Sequence, residues 1–141
     1  MTGANREKLR RLVEQDMAAY NTGNVENLDE LYVEDWVDHS QGIRGIEALK
    51  RGIVELRTAF PDVSLALEDL VVEGDRVAAR ITMKGTHSGE YMGIKPTGRT
   101  VEVTAFEISR TRDGKYAETR GMLDLFSLLN QLGVQEMPRE V

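Results

Sequence analysis

The residues best suited to chemistry lie between Gly114 and Phe126. Asp113-Gly114 is a hairpin-turn pair, and the alternation that follows predicts a strand. One face of that strand carries Ala117, Thr119, Gly121, Leu123 and Leu125. The other carries Tyr116, Glu118, Arg120, Met122, Asp124 and Phe126. This second face sets charges among two aromatic rings and a methionine. If it looks into a cavity, Asp124 is a carboxylate in a largely apolar pocket. Desolvation then raises its pKa towards the range in which a general base or acid works at neutral pH. If it looks into water, it is an ordinary solvated sheet face.

The elements that must position this strand are legible upstream. Leu9, Leu12, Val13, Met17 and Tyr20 follow helical spacing and predict an amphipathic helix over residues 6–20. Asn5 is placed to cap it, and Asn21-Thr-Gly23 to end it. Asp16 lies beside the apolar stripe, where a stripe-edge residue reaches water. A short second helix is expected from about Val25 to Tyr32, capped by Asn24, followed by a short strand at Trp36–Ser40. The stripe Ile46, Leu49, Ile53, Leu56, Phe60 predicts a third helix over 46–60, stopped by Pro61. From there the period is two. Val63, Leu65 and Leu67 share one face of a strand, but Leu70 and Val72 have the opposite parity. This predicts a β-bulge near Glu68-Asp69. Strands are expected over 76–83 and 99–112, separated by a glycine-punctuated excursion from Gly85 to Gly98. Helices followed by long strands make an α+β order.

The 141 residues fit one domain. There is no cysteine, hence no disulfide framework and no cysteine nucleophile. A net charge of −6 without a basic patch argues against a nucleic-acid partner. No apolar run approaches the ~20 residues that span a bilayer, and the N-terminus has no apolar signal core. A cytoplasmic, non-membrane protein is expected. Metal binding is not: two distant histidines and hard carboxylates make no ligand-spaced motif.

Several stretches, in order, resemble one family. They are Gly23-Asn-x-x-x-Leu28-x-x-Leu31-Tyr32, Val37-Asp-His39, Phe60-Pro-Asp62 and Gly74-Asp-x-Val-Ala-Ala-Arg80. Next come Gly85-Thr-His-Ser-Gly-Glu-Tyr-Met-Gly-Ile-Lys-Pro-Thr-Gly-Arg99 and Asp113-Gly-Lys115, then Glu118, Asp124 and Gln131-Leu-Gly133. Together they look like the SnoaL-like polyketide cyclases, or ester cyclases, of the nuclear-transport-factor-2-like superfamily. The resemblance implies one domain over 1–141. It further implies a cone-shaped α+β barrel, with three N-terminal helices packed on a strongly curved mixed sheet.

The resemblance also implies cofactor-free intramolecular aldol condensation on a hydrophobic carbonyl compound. Asp124 matches the family's acid/base aspartate, on the last strand and facing the pocket; His39 and His87 match its histidines. Such a closure needs one group to take and return a proton, and donors at the oxygen where charge develops. Asp124 suits the first task; His39, His87 and Arg120 suit the second. Tyr20, Trp36, Met83, Met92, Phe106, Glu118 and Met122 are expected to line the pocket. Arg120 stands where relatives commonly carry a large aromatic. It would pair with Asp124 or Glu118, or bind an anionic substrate group. Other readings stay open. His87 could pin the glycine-rich loop and His39 could be structural. The domain could be a non-catalytic binding or dimerisation module, or a hydrolase or hydroxylase using an Arg120–Asp124 pair. Apolar residues on both faces of the 99–112 strand lead us to expect a homodimer or higher homo-oligomer.

Overall fold

The two periodicities of the sequence become two layers, a helical one and a sheet. A computed structural model describes residues 3–134. Helix α1 spans Gly3–Thr22, β1 Tyr32–Asp38, β2 Ile43–Arg44, α2 Ile46–Ala59 and β3 Ser64–Glu73. They are followed by β4 Arg76–Thr86, β5 Thr100–Arg112, β6 Lys115–Leu123 and α3 Leu125–Gln131. The strands form one six-stranded sheet in the order β2-β1-β6-β5-β4-β3. All neighbours are antiparallel except β1 and β6, which run parallel. None of the described helices is long and apolar enough to cross a membrane.

This corrects the expected architecture. The α+β class and the mixed sheet stand, but the strongly curved, closed cone does not. The sheet is open, with β2 and β3 as its two edges and no ladder joining them. Nor are there three N-terminal α-helices. The expected second helix is a five-residue 3₁₀ segment, Glu26–Glu30, with Val25 rather than Asn24 at its cap position and no side-chain cap bond. The third α-helix is C-terminal, where the last strand was expected to run on to residue 126. Helix α1 begins before Asn5, whose side chain instead donates to the Gly74 carbonyl.

The predicted bulge is present. Pairing of β3 with β4 shifts register between Leu67 and Asp69, which returns Leu70 to the buried face. A second bulge, between β5 and β6, was not foreseen. Thr111 pairs with Tyr116 while Arg110 pairs with Glu118, leaving Ala117 as the extra residue. Tyr116 and Ala117 are both buried as a result, and the parity of everything after them changes.

Two apolar clusters hold the layers together. The larger joins Leu9, Leu12, Val13 and Met17 of α1 to Trp36, Ile53, Val77, Ile81 and Tyr116. The smaller joins Phe60, Val63, Met83, Val101 and Val103 to Leu128 and Leu132 of α3 and the turn after it. Several family-like motifs turn out to be fasteners. Asp62 accepts from both the amide and the hydroxyl of Thr86, each at 2.7 Å, which holds its carboxyl below the usual carboxylate range. Gln131 exchanges two hydrogen bonds with the Glu102 backbone, tying α3 to β5.

The loop after β4 is clamped to the end of α2, where the amides of Ser88 and Gly89 both donate to the Ala59 carbonyl. A Cβ at Gly89 would run into the Thr58 backbone carbonyl oxygen, which the helix cannot easily give up. Gly89→Ala is therefore expected to destabilise the protein by about 1–3 kcal/mol, as overpacking does. A thermal melt checks this; an unchanged midpoint contradicts the clamp.

Candidate active site

Only one face of the sheet meets α1, and β5 shows which residues lie on it. Phe106 and Ile108 point away from the helices and are exposed, whereas Ala105, Glu107, Ser109 and Thr111 point towards them. Across the ladder Glu107 pairs with Gly121 on β6 and Ala79 on β4. On β1 the inward residues are Tyr32, Trp36 and Asp38. Helix α1 brings Asp16 down onto them, and Tyr20 one turn later.

This interior is polar in an organised way. The Tyr32 hydroxyl donates to Asp16 Oδ1 at 2.6 Å. Trp36 Nε1 donates to Thr119 Oγ1 at 3.0 Å, and Thr119 shares a second bond with Ser109 at 2.9 Å. Asp38 Oδ1 accepts from the amides of Ser40 and Gln41. The ring of Tyr32 meets Trp36 edge-on at 4.9 Å and lies 4.9 Å from that of Tyr116. The buried polar and charged residues here are Asp16, Asp38, Ser109, Thr111 and Thr119; none is a cation.

Burial without a counter-charge dictates the protonation states. Asp16 is 5% exposed, and desolvation raises its pKa from 3.8 to about 6, against the lowering effect of the Tyr32 bond. Glu107 rises from 4.5 to about 8, first by desolvation and then by the charges of Asp16 and Asp38. The phenols of Tyr20, Tyr32 and Tyr116 are pushed well above their usual value, again chiefly by desolvation, so they remain donors. Two carboxyls with displaced pKa values, beside permanent donors, can exchange protons with a bound molecule near neutral pH. Among the described residues no group of three or more His, Asp or Glu side chains is arranged to hold a metal ion.

The residues expected from sequence are mostly elsewhere. Asp124 stands one residue beyond β6, exposed, and its carboxylate accepts from Ser127 N at 3.1 Å as the N-cap of α3. Glu118, Arg120 and Met122 lie on the outer face, Met122 being 80% exposed. Phe106, also an expected pocket residue, is on that face, and Met92 is exposed on the loop. Arg120 and Asp124 form no ion pair. Glu118 instead meets His39 Nε2 at 2.8 Å, which lowers the Glu118 pKa, in a half-exposed contact of the kind that contributes little to stability. His87 is 0% exposed and fastens the loop: its Nδ1 lies 3.0 Å from the Thr97 hydroxyl and accepts from Thr97 N at 3.2 Å. Met83 is buried in the smaller apolar cluster. Of the expected lining, Trp36 and Tyr20 belong to the interior.

Sequence reasoning missed Asp16, Tyr32, Asp38, Glu107 and Tyr116. A stripe-edge position sends Asp16 to water, whereas the structure buries it. The usable signal was its spacing: it precedes Met17 and stands four residues before Tyr20, within the stripe. Glu107 could be found only from register, between apolar neighbours that face outward.

A small α+β domain with an open mixed sheet and a buried acid–tyrosine interior is the class that this geometry defines. The family model for SnoaL-like polyketide cyclases matches residues 10–132. The chain belongs to the SnoaL-like polyketide cyclase family. It is 30% identical over 132 residues to the aklanonic acid methyl ester cyclase DauD of Streptomyces sp. (strain C5), covering 89% of this chain and 79% of that one. It is 28% identical over 123 residues to the nogalonic acid methyl ester cyclase of Streptomyces nogalater, covering 83% and 91%. The structure of TsrD from Streptomyces laurentii superposes with a TM-score of 0.87 at 35% identity, covering 92% and 98%.

The raised carboxyls have a measurable signature. A carboxyl whose folded-state pKa exceeds its unfolded value binds its proton more tightly when folded. Its support is fullest below the unfolded value and is withdrawn as pH rises through the folded one. For Asp16, the rise from 3.8 to about 6 corresponds to about 3 kcal/mol. Asp16→Asn can still accept from Tyr32 but cannot ionise. Its stability relative to the parent should therefore improve as pH rises from about 4 to above 6, read as urea midpoints. Parallel pH profiles would refute the buried-acid assignment.

Proposed function

We propose that this chain is a cofactor-independent cyclase that closes a ring in a polyketide ester by intramolecular aldol condensation. The observation that carries the reading is the buried Asp16–Tyr32 pair at the centre of the inner face. The names of the methyl ester cyclases among its relatives support the substrate class. A carbon flanked by a ketone and an ester is acidic enough for a carboxylate to deprotonate. Asp16, poised near neutral pH, takes that proton. Phenolic donors such as Tyr20 and Tyr116 are suited to hold the oxygen on which charge develops. The acid-rich interior also favours an ester over a free acid, because among the described residues no buried cation offsets a substrate carboxylate.

The base is decided by comparing two variants on an anthraquinone β-keto ester, followed by absorbance. Asp16→Asn is expected to lower kcat by about 10²-fold or more. Asp124→Asn preserves the α3 cap, since Asn caps as well as Asp, and is expected to leave the rate nearly unchanged. The reverse pattern would move the base to Asp124. A ligand that stabilises the protein without being converted would favour a binding module instead.

We further propose that the outer face is covered by a second copy of the chain. Phe106 pairs with Met122 and Ile108 with Arg120 across β5 and β6, which places three exposed apolar side chains side by side. Met122→Lys combined with Ile108→Lys should shift the sedimentation profile from dimer to monomer. A parent that sediments as a monomer at micromolar concentration would refute this.

A further inference from the structure

Glu107 is the one long charged side chain at an inner-face position of β5, and its immediate surroundings are unusually small. Along β5 its same-face neighbours are Ala105 and Ser109. Across the ladders its partners are Ala79 on β4 and Gly121 on β6. These four minimal side chains put no bulk against the Glu107 carboxyl. The space at Gly121 is used: a Cβ there would stand 3.0 Å from Glu107 Cγ and 3.0 Å from the Phe106 carbonyl oxygen. Glu107 therefore leans over the bare backbone of Gly121.

Among the described residues no hydrogen bond or ion pair occupies the Glu107 carboxyl, whereas Asp16 is bonded to Tyr32 and Asp38 to two backbone amides. The three carboxyls thus differ in what they can offer. Asp16 and Asp38 each have one oxygen, Oδ1, engaged as an acceptor; Glu107 has neither oxygen engaged. It lies near two acidic neighbours that discourage a third negative charge.

The geometry points to Glu107 as the proton donor of the ring closure, with Gly121 as the positioning residue that gives it room. This rests on the cyclase reading above and adds a second catalytic group to it. As the enolate carbon forms its bond to the carbonyl carbon, the carbonyl π pair moves onto oxygen. That oxygen takes the Glu107 proton and becomes a hydroxyl that stays on the new ring. The proton that Asp16 removed from carbon then returns to Glu107. One carbon–carbon bond is made, no group is lost, and the protein ends as it began. The guest this arrangement suits presents a neutral aldehyde or ketone oxygen to β5, not a carboxylate.

The test combines a substrate-free spectroscopic readout with kinetics on the anthraquinone β-keto ester. At neutral pH the parent should show the infrared carbonyl stretch of a protonated carboxylic acid, and Glu107→Gln should lack it. In kinetics, Glu107→Gln should lower kcat by about 10²-fold with little change in KM, and it should lose the alkaline limb of the kcat profile. Gly121→Ala, which displaces the carboxyl without removing it, should lower kcat and shift that limb while the infrared band persists. Circular dichroism and a thermal melt establish that each variant is folded. A folded Glu107→Gln with parental kcat and alkaline limb overturns the assignment while the cyclase reading stands, as does a parent without the band. A parent that shows the band but closes no ring defeats the cyclase reading, and with it the donor role.

Discussion

The hydrogen bond from Tyr32 to Asp16 fixes the helical layer to the sheet in the buried interior. It joins α1 to β1 inside an apolar cluster, where an unpartnered carboxyl or phenol would be costly. With the bond made, Asp16, Tyr32 and Tyr116 are buried between α1 and the sheet and shielded from water. That exclusion raises the Asp16 and Glu107 pKa values and keeps the tyrosines protonated. Stability and reactivity have one source: the contact that seals the layers also makes the enclosed acids abnormal.

The sheet decides which acids are enclosed. Two bulges, at Glu68 and Ala117, each change the parity of a strand. The second sends Tyr116 inward and leaves Glu118, Arg120 and Met122 outside, separating residues that simple alternation puts on one face. An aspartate at the end of such a strand has a different duty. Asp124 begins a helix, where its carboxylate satisfies an amide that the helix cannot reach.

Much of the fold was legible because it rests on periodicity. The stripe from Ile46 to Leu56 became α2, and the parity break around Glu68 became a bulge. That the sheet stays open was not legible, and the expected closed cone is not there. Whether a sheet closes depends on its terminal strands meeting, and nothing in β2 or β3 encodes that locally. The site was harder still. Motifs rich in glycine, aspartate and glutamine drew attention because such residues have few structural equivalents. Asp62, His87 and Gln131 proved to be fasteners for that same reason. Asp16 and Glu107 sit in ordinary amphipathic patterns, and their character comes from packing across α1, β1 and β5. Arg120 and Asp124 looked paired because they are near in sequence, yet one lies on the outer sheet face and the other caps a helix.

The parallel pairing of β1 with β6 constrains how the chain comes together in time. Trp36 cannot find its Thr119 partner until 83 more residues have been made. The antiparallel ladders from β3 to β6 join neighbours in sequence and can zip locally. The first strand has no such neighbour except the two-residue β2. During synthesis α1 and β1 must therefore wait, with Tyr32 and Trp36 uncovered, for the last strand to appear. Long-range closure of this kind is slow and leaves apolar surface open to wrong partners. The acid interior is not enclosed until β6 is made, so a chain halted before β6 emerges lacks both Tyr116 and the Trp36–Thr119 contact.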